Sequence, residues 1–147
     1  MEEEIECGLY YEELLRILEG QNLKLNKDTK ILEIGSGNAK MLDYFKKLLG
    51  KNVVGVDVRS RGNRDSPQVI ARAEQLPFAD QSFDVIFSVG AFDQEIYNQD
   101  QLLMMQEIAR VLKHGGIFVA FADFIPAEVE GLNLIESDRP KSVYKKS

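Results

Sequence analysis

Along this chain of 147 residues the spacing of apolar positions switches repeatedly between the period of a helix and that of a strand. In "YYEELLRILEG" (Tyr10 to Gly20), Tyr11, Leu14, Leu15 and Leu18 share one helical stripe, and the glycine marks its end. "TKILEIG" reads as a short, largely apolar strand. Met41, Leu42, Phe45, Leu48 and Leu49 then recur at helical spacing and predict an amphipathic helix closed by Gly50. A second strand, "NVVGVDV", is followed by "RSRGNRDSP" (Arg59 to Pro67), which has the Gly, Asn and Pro content of a loop. "QVIARA" and "SFDVIFSVG" predict the third and fourth strands. Met104, Met105, Ile108, Val111 and Leu112 repeat the helical stripe, which "KHGG" ends before a fifth strand, "GIFVAFAD".

Short apolar strands alternating with amphipathic helices predict an α/β, Rossmann-like three-layer sandwich. Its sheet would be mostly parallel, with helices on both faces. In the usual order of this architecture the five strands lie 3-2-1-4-5. The chain reads as a single domain, 1–147: a helix and lead-in over 1–28, a ligand-binding core over 29–123 and a short extension over 124–147. Only 24 residues follow Asp123, so the sheet is expected to be shortened at that end. The fifth strand is therefore expected to be an apolar edge, residues 117–123, without the Lys or Pro devices that block pairing. A symmetric homodimer through that edge is expected; the other way to cover it is for the tail to fold back with "KSVYK" as a strand.

Composition narrows the ligand. The hydrophobic fraction of 44% and charged fraction of 29% suit an ordinary globular domain, and no stretch approaches the length of a membrane span. The acidic start "MEEEIECGLYYEE" lacks the apolar core of a secretory signal, which makes the cytoplasm the expected location. A lone Cys7 offers neither an internal disulfide nor a metal site. The net charge of −6 argues against nucleic acid as a partner and is compatible with a cationic ligand.

In parallel sheets ligands bind beyond the carboxyl ends of the strands, where the first strand enters its glycine turn. "GSGN" falls there, and Gly35 and Gly37 allow a sharp turn and close approach to a ligand. Asp57 ends the second strand 22 residues after Gly35, near the offset at which an acid accepts hydrogen bonds from ribose hydroxyls. Ala73 and Glu74 follow the third strand, where an adenine ring would pass. A dinucleotide fingerprint would need glycine at position 40, where Lys40 stands. Glu33, just before the turn, would repel a pyrophosphate but favour an ammonium and a sulfonium. S-adenosylmethionine is such a ligand.

"ILEIGSGNAKML", "VVGVDV", "AEQLPFADQSFDVIFS" and "ARVLKHGGIFVAF" together resemble the class I S-adenosylmethionine-dependent methyltransferases, in the broad group acting on small molecules, lipids and quinones. The resemblance runs from about residue 29 to 123. It implies that Glu33, Gly35, Ser36 and Gly37 line the methionine part of the cofactor and that Asp57 holds the ribose. It further implies that Val58 packs on the adenine, that Ala73 and Glu74 edge it, and that Ser88 and Val89 face the sulfonium. Two positions depart from the pattern. Arg72 stands where relatives commonly carry an Asp for the adenine amino group, and His114 stands in "LKHGG" where "LKPGG" is common. His114 reads as a surface turn residue.

Methyl transfer needs little side-chain chemistry, because the methyl group is already activated. Acceptor-facing candidates are therefore positional: Asp93, Glu95 and Tyr97 after the fourth strand, with Tyr10 and Tyr11 as either packing residues or a cover to the site. The acceptor is expected to be a small molecule. A cofactor-binding module without catalysis of its own is the second reading. A third, a reductase using NADP, would draw on Arg59, Arg61 and Arg64 for a 2′-phosphate.

Overall fold

The computed structural model describes residues 2–37, 39–49, 52–59, 67–92, 100–122 and 129–147. The helices are α1 (Glu2–Gly20), α2 (Lys40–Leu49) and α3 (Gln101–Val111). The strands are β1 (Ile31–Ile34), β2 (Val53–Asp57), β3 (Gln68–Ile70), β4 (Phe83–Val89), β5 (Leu112–Phe121), β6 (Leu132–Asp138) and β7 (Lys141–Lys146). All seven strands join one sheet in the order β3-β2-β1-β4-β5-β7-β6. The first five run parallel, in the expected 3-2-1-4-5 order, and β7 and β6 are added antiparallel.

That last pair corrects the expectation of a shortened sheet. Two strands need no crossover helix when they form a hairpin, so the 24 residues after Asp123 are enough. Pro140 sits in the turn between β6 and β7 and removes no ladder hydrogen bond. β7 runs along β5, with Ile117 opposite Lys145, Val119 opposite Val143 and Phe121 opposite Lys141. The chain's own tail thus covers the edge at 117–121, and the homodimer inferred from an open fifth strand loses its ground. Asp123 and Phe124 lie outside the described residues.

Other boundaries also move. α1 begins at Glu2 rather than Tyr10 and is 19 residues long. Glutamate is a good helix former, a signal that apolar periodicity does not carry. Leu112 opens β5 instead of closing the helical stripe, and Lys113 to Gly116 belong to the strand. A register shift between Phe83 and Val85 and the left-handed Gly115 (φ 78°) accommodate the irregular start of that strand. β3 ends at Ile70, although the Ala71 N–H still donates to the Asp57 carbonyl at 3.0 Å.

Apolar side chains fill both faces of the sheet, which is why the central strands read as continuous hydrophobic runs. On one face Leu14, Leu18, Leu42 and Phe45 from α1 and α2 pack with Val85, Phe87 and Val119. On the other, Met104, Met105, Ile108 and Val111 pack with Ile34, Ile86 and Phe118. The side chain of Asp100 caps α3 by accepting from Leu103 N at 3.1 Å. Arg110, in the last turn of α3, binds the carboxylates of Glu107 and Asp80 and the carbonyls of Leu76 and Phe78, anchoring the loop between β3 and β4. Among the described residues no helix is long and apolar enough to cross a membrane.

Candidate functional site

The carboxyl ends of β1, β2 and β4 converge on the turn that follows β1. There the N–H groups of Gly35 and Ser36 both donate to the Val56 carbonyl, at 2.8 and 3.0 Å. Gly35 is left-handed (φ 73°), and a Cβ there would lie 2.9 Å from Ala91 Cβ. Gly37 is left-handed too (φ 52°), but nothing lies within 4 Å of where its Cβ would be. The first glycine thus lets the turn press against the segment after β4, and the second borders open space.

The turn is tied to its neighbours by two side chains. Asp57, which is 8% exposed, accepts from Gly37 N at 2.8 Å through Oδ2 and from Arg59 N at 3.1 Å through Oδ1. Gln68, at the start of β3, donates to Ser36 Oγ at 2.9 Å and to the Gly37 carbonyl at 2.8 Å. Underneath, Gly55 of β2 is the contact point: a Cβ there would overlap the Ser36 side chain and come within 2.7 Å of Leu42 Cδ1. Neither Gln68 nor Gly55 was singled out from the sequence. A glycine inside a strand does signal close approach of another segment, so Gly55 was findable. Gln68 carries no such signal, because its partners are 31 and 32 residues away.

Glu33 is 3% exposed and points to the α1–α2 face, beside Gly55 of β2 and Phe87 of β4 in register. Burial first, and then the charge of Asp57, holds its carboxyl well above the usual range. Among the described residues, Glu33 Oε1 and Ser88 Oγ are buried side-chain atoms without a hydrogen-bond partner. Ser88 pairs in register with Ile34 and Ala120 and faces the opposite, α3 side. An orphaned buried acid beside an open glycine turn suits a cationic group. Neither atom would be a stable feature of an ordinary core.

The remaining predicted residues divide. Val58 and Val89 are half-buried, and Ala73 is buried. Glu74 is engaged by Arg72, whose Nε and a terminal nitrogen donate to its Oε1 at 3.0 and 2.7 Å. The cation at the departed position thus binds the neighbouring acid that was expected to edge the adenine. Tyr11 packs against α2, stacked on Tyr44 at 5.1 Å and edge-on to Phe45 at 5.0 Å. Tyr10 lies against Phe121, with ring centroids 5.0 Å apart, where β5 reaches its carboxyl end. Asp93, Glu95 and Tyr97, like Arg61 and Arg64, lie outside the described residues. His114 is exposed, as expected of a surface residue, but it lies in the opening of β5 rather than in a turn, with Nδ1 2.7 Å from the Ser147 carbonyl. No cluster among the described residues suits a metal ion. A groove of about 300 Å³ lined by Lys30, Asn52, Val54, Phe78 and Phe83 lies at the amino ends of the strands, opposite the turn.

Residues 32–120 match the family model described as a methyltransferase domain. The methyltransferase GfsG of Streptomyces halstedii is 31% identical over 71% of this chain and 41% of its own length. The demethylmenaquinone methyltransferase of Chlorobaculum parvum is 31% identical over 68% of this chain and 43% of its own. The chain thus spans less than half the length of either relative. Among solved structures, the YcgJ protein of Bacillus subtilis is 25% identical, with a TM-score of 0.59, over 78% of this chain and 48% of that one. With the glycine turn and the acid that ends β2 inside the matched stretch, which spans the parallel strands to within one residue at each end, the chain belongs to the class I S-adenosylmethionine-dependent methyltransferases.

Proposed function

We propose that the carboxyl end of β1 and β2 binds S-adenosylmethionine and that the protein transfers its methyl group to a small organic acceptor. The observation that carries this reading is the buried carboxyl of Glu33, its Oε1 without a partner among the described residues, on the strand that leads into the open turn at Gly37. In this reading Glu33, Gly35, Ser36 and Gly37 surround the methionine part, with the ammonium nearest the acid. Asp57 keeps two backbone N–H groups on its carboxylate, one to each oxygen. Each oxygen retains a lone pair for a ribose hydroxyl. Val58 and Ala73 would flank the adenine with Glu74 at its edge, and Ser88 and Val89 would border the sulfonium.

When bound, the cofactor supplies a methyl group on a positively charged sulfur. The chain's own contribution is to hold acceptor and methyl in line and to exclude water. Tyr10, beside Phe121 at the carboxyl end of β5, is the described aromatic best placed to border the acceptor. The relative named for demethylmenaquinone and the net charge of −6 support a small acceptor over nucleic acid.

Calorimetry with S-adenosylhomocysteine and NADP side by side tests the ligand. Saturable binding of the first and none of the second is expected. Asp57→Ala should weaken S-adenosylhomocysteine about tenfold or more, the loss of charge-assisted hydrogen bonds worth roughly 1.5 to 3 kcal/mol. Unchanged affinity would remove Asp57 from the site. Binding without turnover of any acceptor would favour a cofactor-binding module over an enzyme.

A further inference from the structure

Glu33 and Asp57 are two carboxyl groups at the carboxyl ends of adjacent strands, but the fold supports them unequally. Asp57 receives a backbone N–H on each oxygen. Among the described residues Glu33 Oε1 receives nothing, and Glu33 is 3% exposed. An ionised oxygen without a partner in such a place is costly, and the neighbouring carboxylate adds repulsion. Among the described residues, burial and Asp57 are what shift Glu33, and both act against its charge. From β2 the group that acts on it is Asp57, and beyond that the exposed Arg59 gives Asp57 its backbone N–H. From β4 its register neighbour is Phe87. α2 carries Lys40 and Asp43 in its first turn, and on α1 Glu13 is occupied by Arg16 and Lys141.

We infer that Glu33 is a neutral acid in the free protein and a carboxylate in the complex, so that binding of the cationic cofactor expels a proton to solvent. The step balances simply. The O–H bond of Glu33 breaks, its electron pair stays on the carboxylate oxygen, and the proton goes to buffer as an ammonium takes its place. The ligand's charge is thus compensated without a permanently ionised, unpartnered group inside the sheet. Cofactor affinity then tightens with pH. This inference rests on the S-adenosylmethionine reading and adds to it the protonation state on which the site selects its ligand.

The test is calorimetry of S-adenosylhomocysteine with the wild-type protein at pH 6.0 to 7.0, repeated in buffers of different ionisation enthalpy. An α-amino group titrates near pH 8, so in this window the ligand is already an ammonium; bound in that form it exchanges no proton, and loss of the release in Glu33→Gln assigns the proton to Glu33. Release approaching one proton per ligand is expected, with affinity rising by up to about tenfold per pH unit. Glu33→Gln should abolish both the release and the pH dependence. Glu33→Asp, which keeps an acid, should preserve release if it binds. Tight binding with no proton released and no change with pH overturns the inference and leaves the cofactor reading standing. No binding at any pH between 5.5 and 8.5 overturns the cofactor reading itself, and this inference with it.

Discussion

Two buried ionisable side chains lie on the same face of one sheet, and the fold treats them in opposite ways. Lys141, at the start of β7, is 8% exposed and meets Glu13 of α1 at 2.9 Å and Glu136 of β6 at 3.0 Å. Those two hydrogen-bonded glutamates raise its pKa, so the ammonium is the favoured form. Glu33, near the carboxyl end of β1, has an oxygen with no partner among the described residues and is pushed toward its neutral form. A charge enclosed for structure arrives with its partners. A charge enclosed without one is kept for something that comes from outside.

The largest effect expected from breaking this contrast is at Lys141. Lys141→Ala should cost about 1 to 3 kcal/mol in urea unfolding, because it removes two charge-assisted hydrogen bonds and the tie between α1 and the β6–β7 hairpin. Lys141→Met should cost less, since its apolar stem still fills the space. Equal costs would mean that packing, not pairing, is what the position provides.

Glu33→Gln should act the other way and stabilise the free protein. The folded-state pKa of Glu33 lies above its ordinary value of 4.5, so the native state keeps a proton that the unfolded chain has lost. Stability from this group is full below that ordinary value and falls as pH rises toward the raised one. The variant should therefore match wild type near pH 4 and exceed it by a margin that widens as pH rises from there to 8. A variant that is less stable than wild type at pH 8 would show that Glu33 is satisfied in the fold.

The smallest effect concerns Arg72, the cation that occupies Glu74. Arg72→Asp would free Glu74 and supply an acceptor where relatives commonly have one. S-adenosylhomocysteine should bind a few-fold tighter, on the scale of one exposed, partly screened polar contact. Weaker binding would mean that the adenine does not pass this position.

How much of this was legible in the sequence depended on whether burial left a pattern. β1, β2, β4 and the middle of α3 are buried on faces that periodicity reports directly, and they lie where the apolar runs predict. Of the hairpin, β7 was legible as the alternative in which "KSVYK" folds back on the fifth strand, and β6 was not. In β6 only Leu132 is buried and the following six residues are exposed, while β7 buries Lys141 and Ser142 alongside Val143 and Tyr144. A buried lysine looks like surface until its glutamates are placed. At the site, Glu33, Gly35, Gly37 and Asp57 could be read because strand ends and turns set their positions. Gln68 could not, since its role depends on a crossing between strands that one-dimensional spacing does not contain. The same holds for the pairing of Arg72 with Glu74, which changes the meaning of both residues.

A crystal structure with S-adenosylhomocysteine tests the central claim most directly. The ribose hydroxyls should lie within hydrogen-bond distance of Asp57, the adenine beside Val58 and Ala73, and the ammonium beside Glu33 at the end of β1. A ligand bound elsewhere, or one seated at the turn with Glu33 and Asp57 out of its reach, would contradict the account.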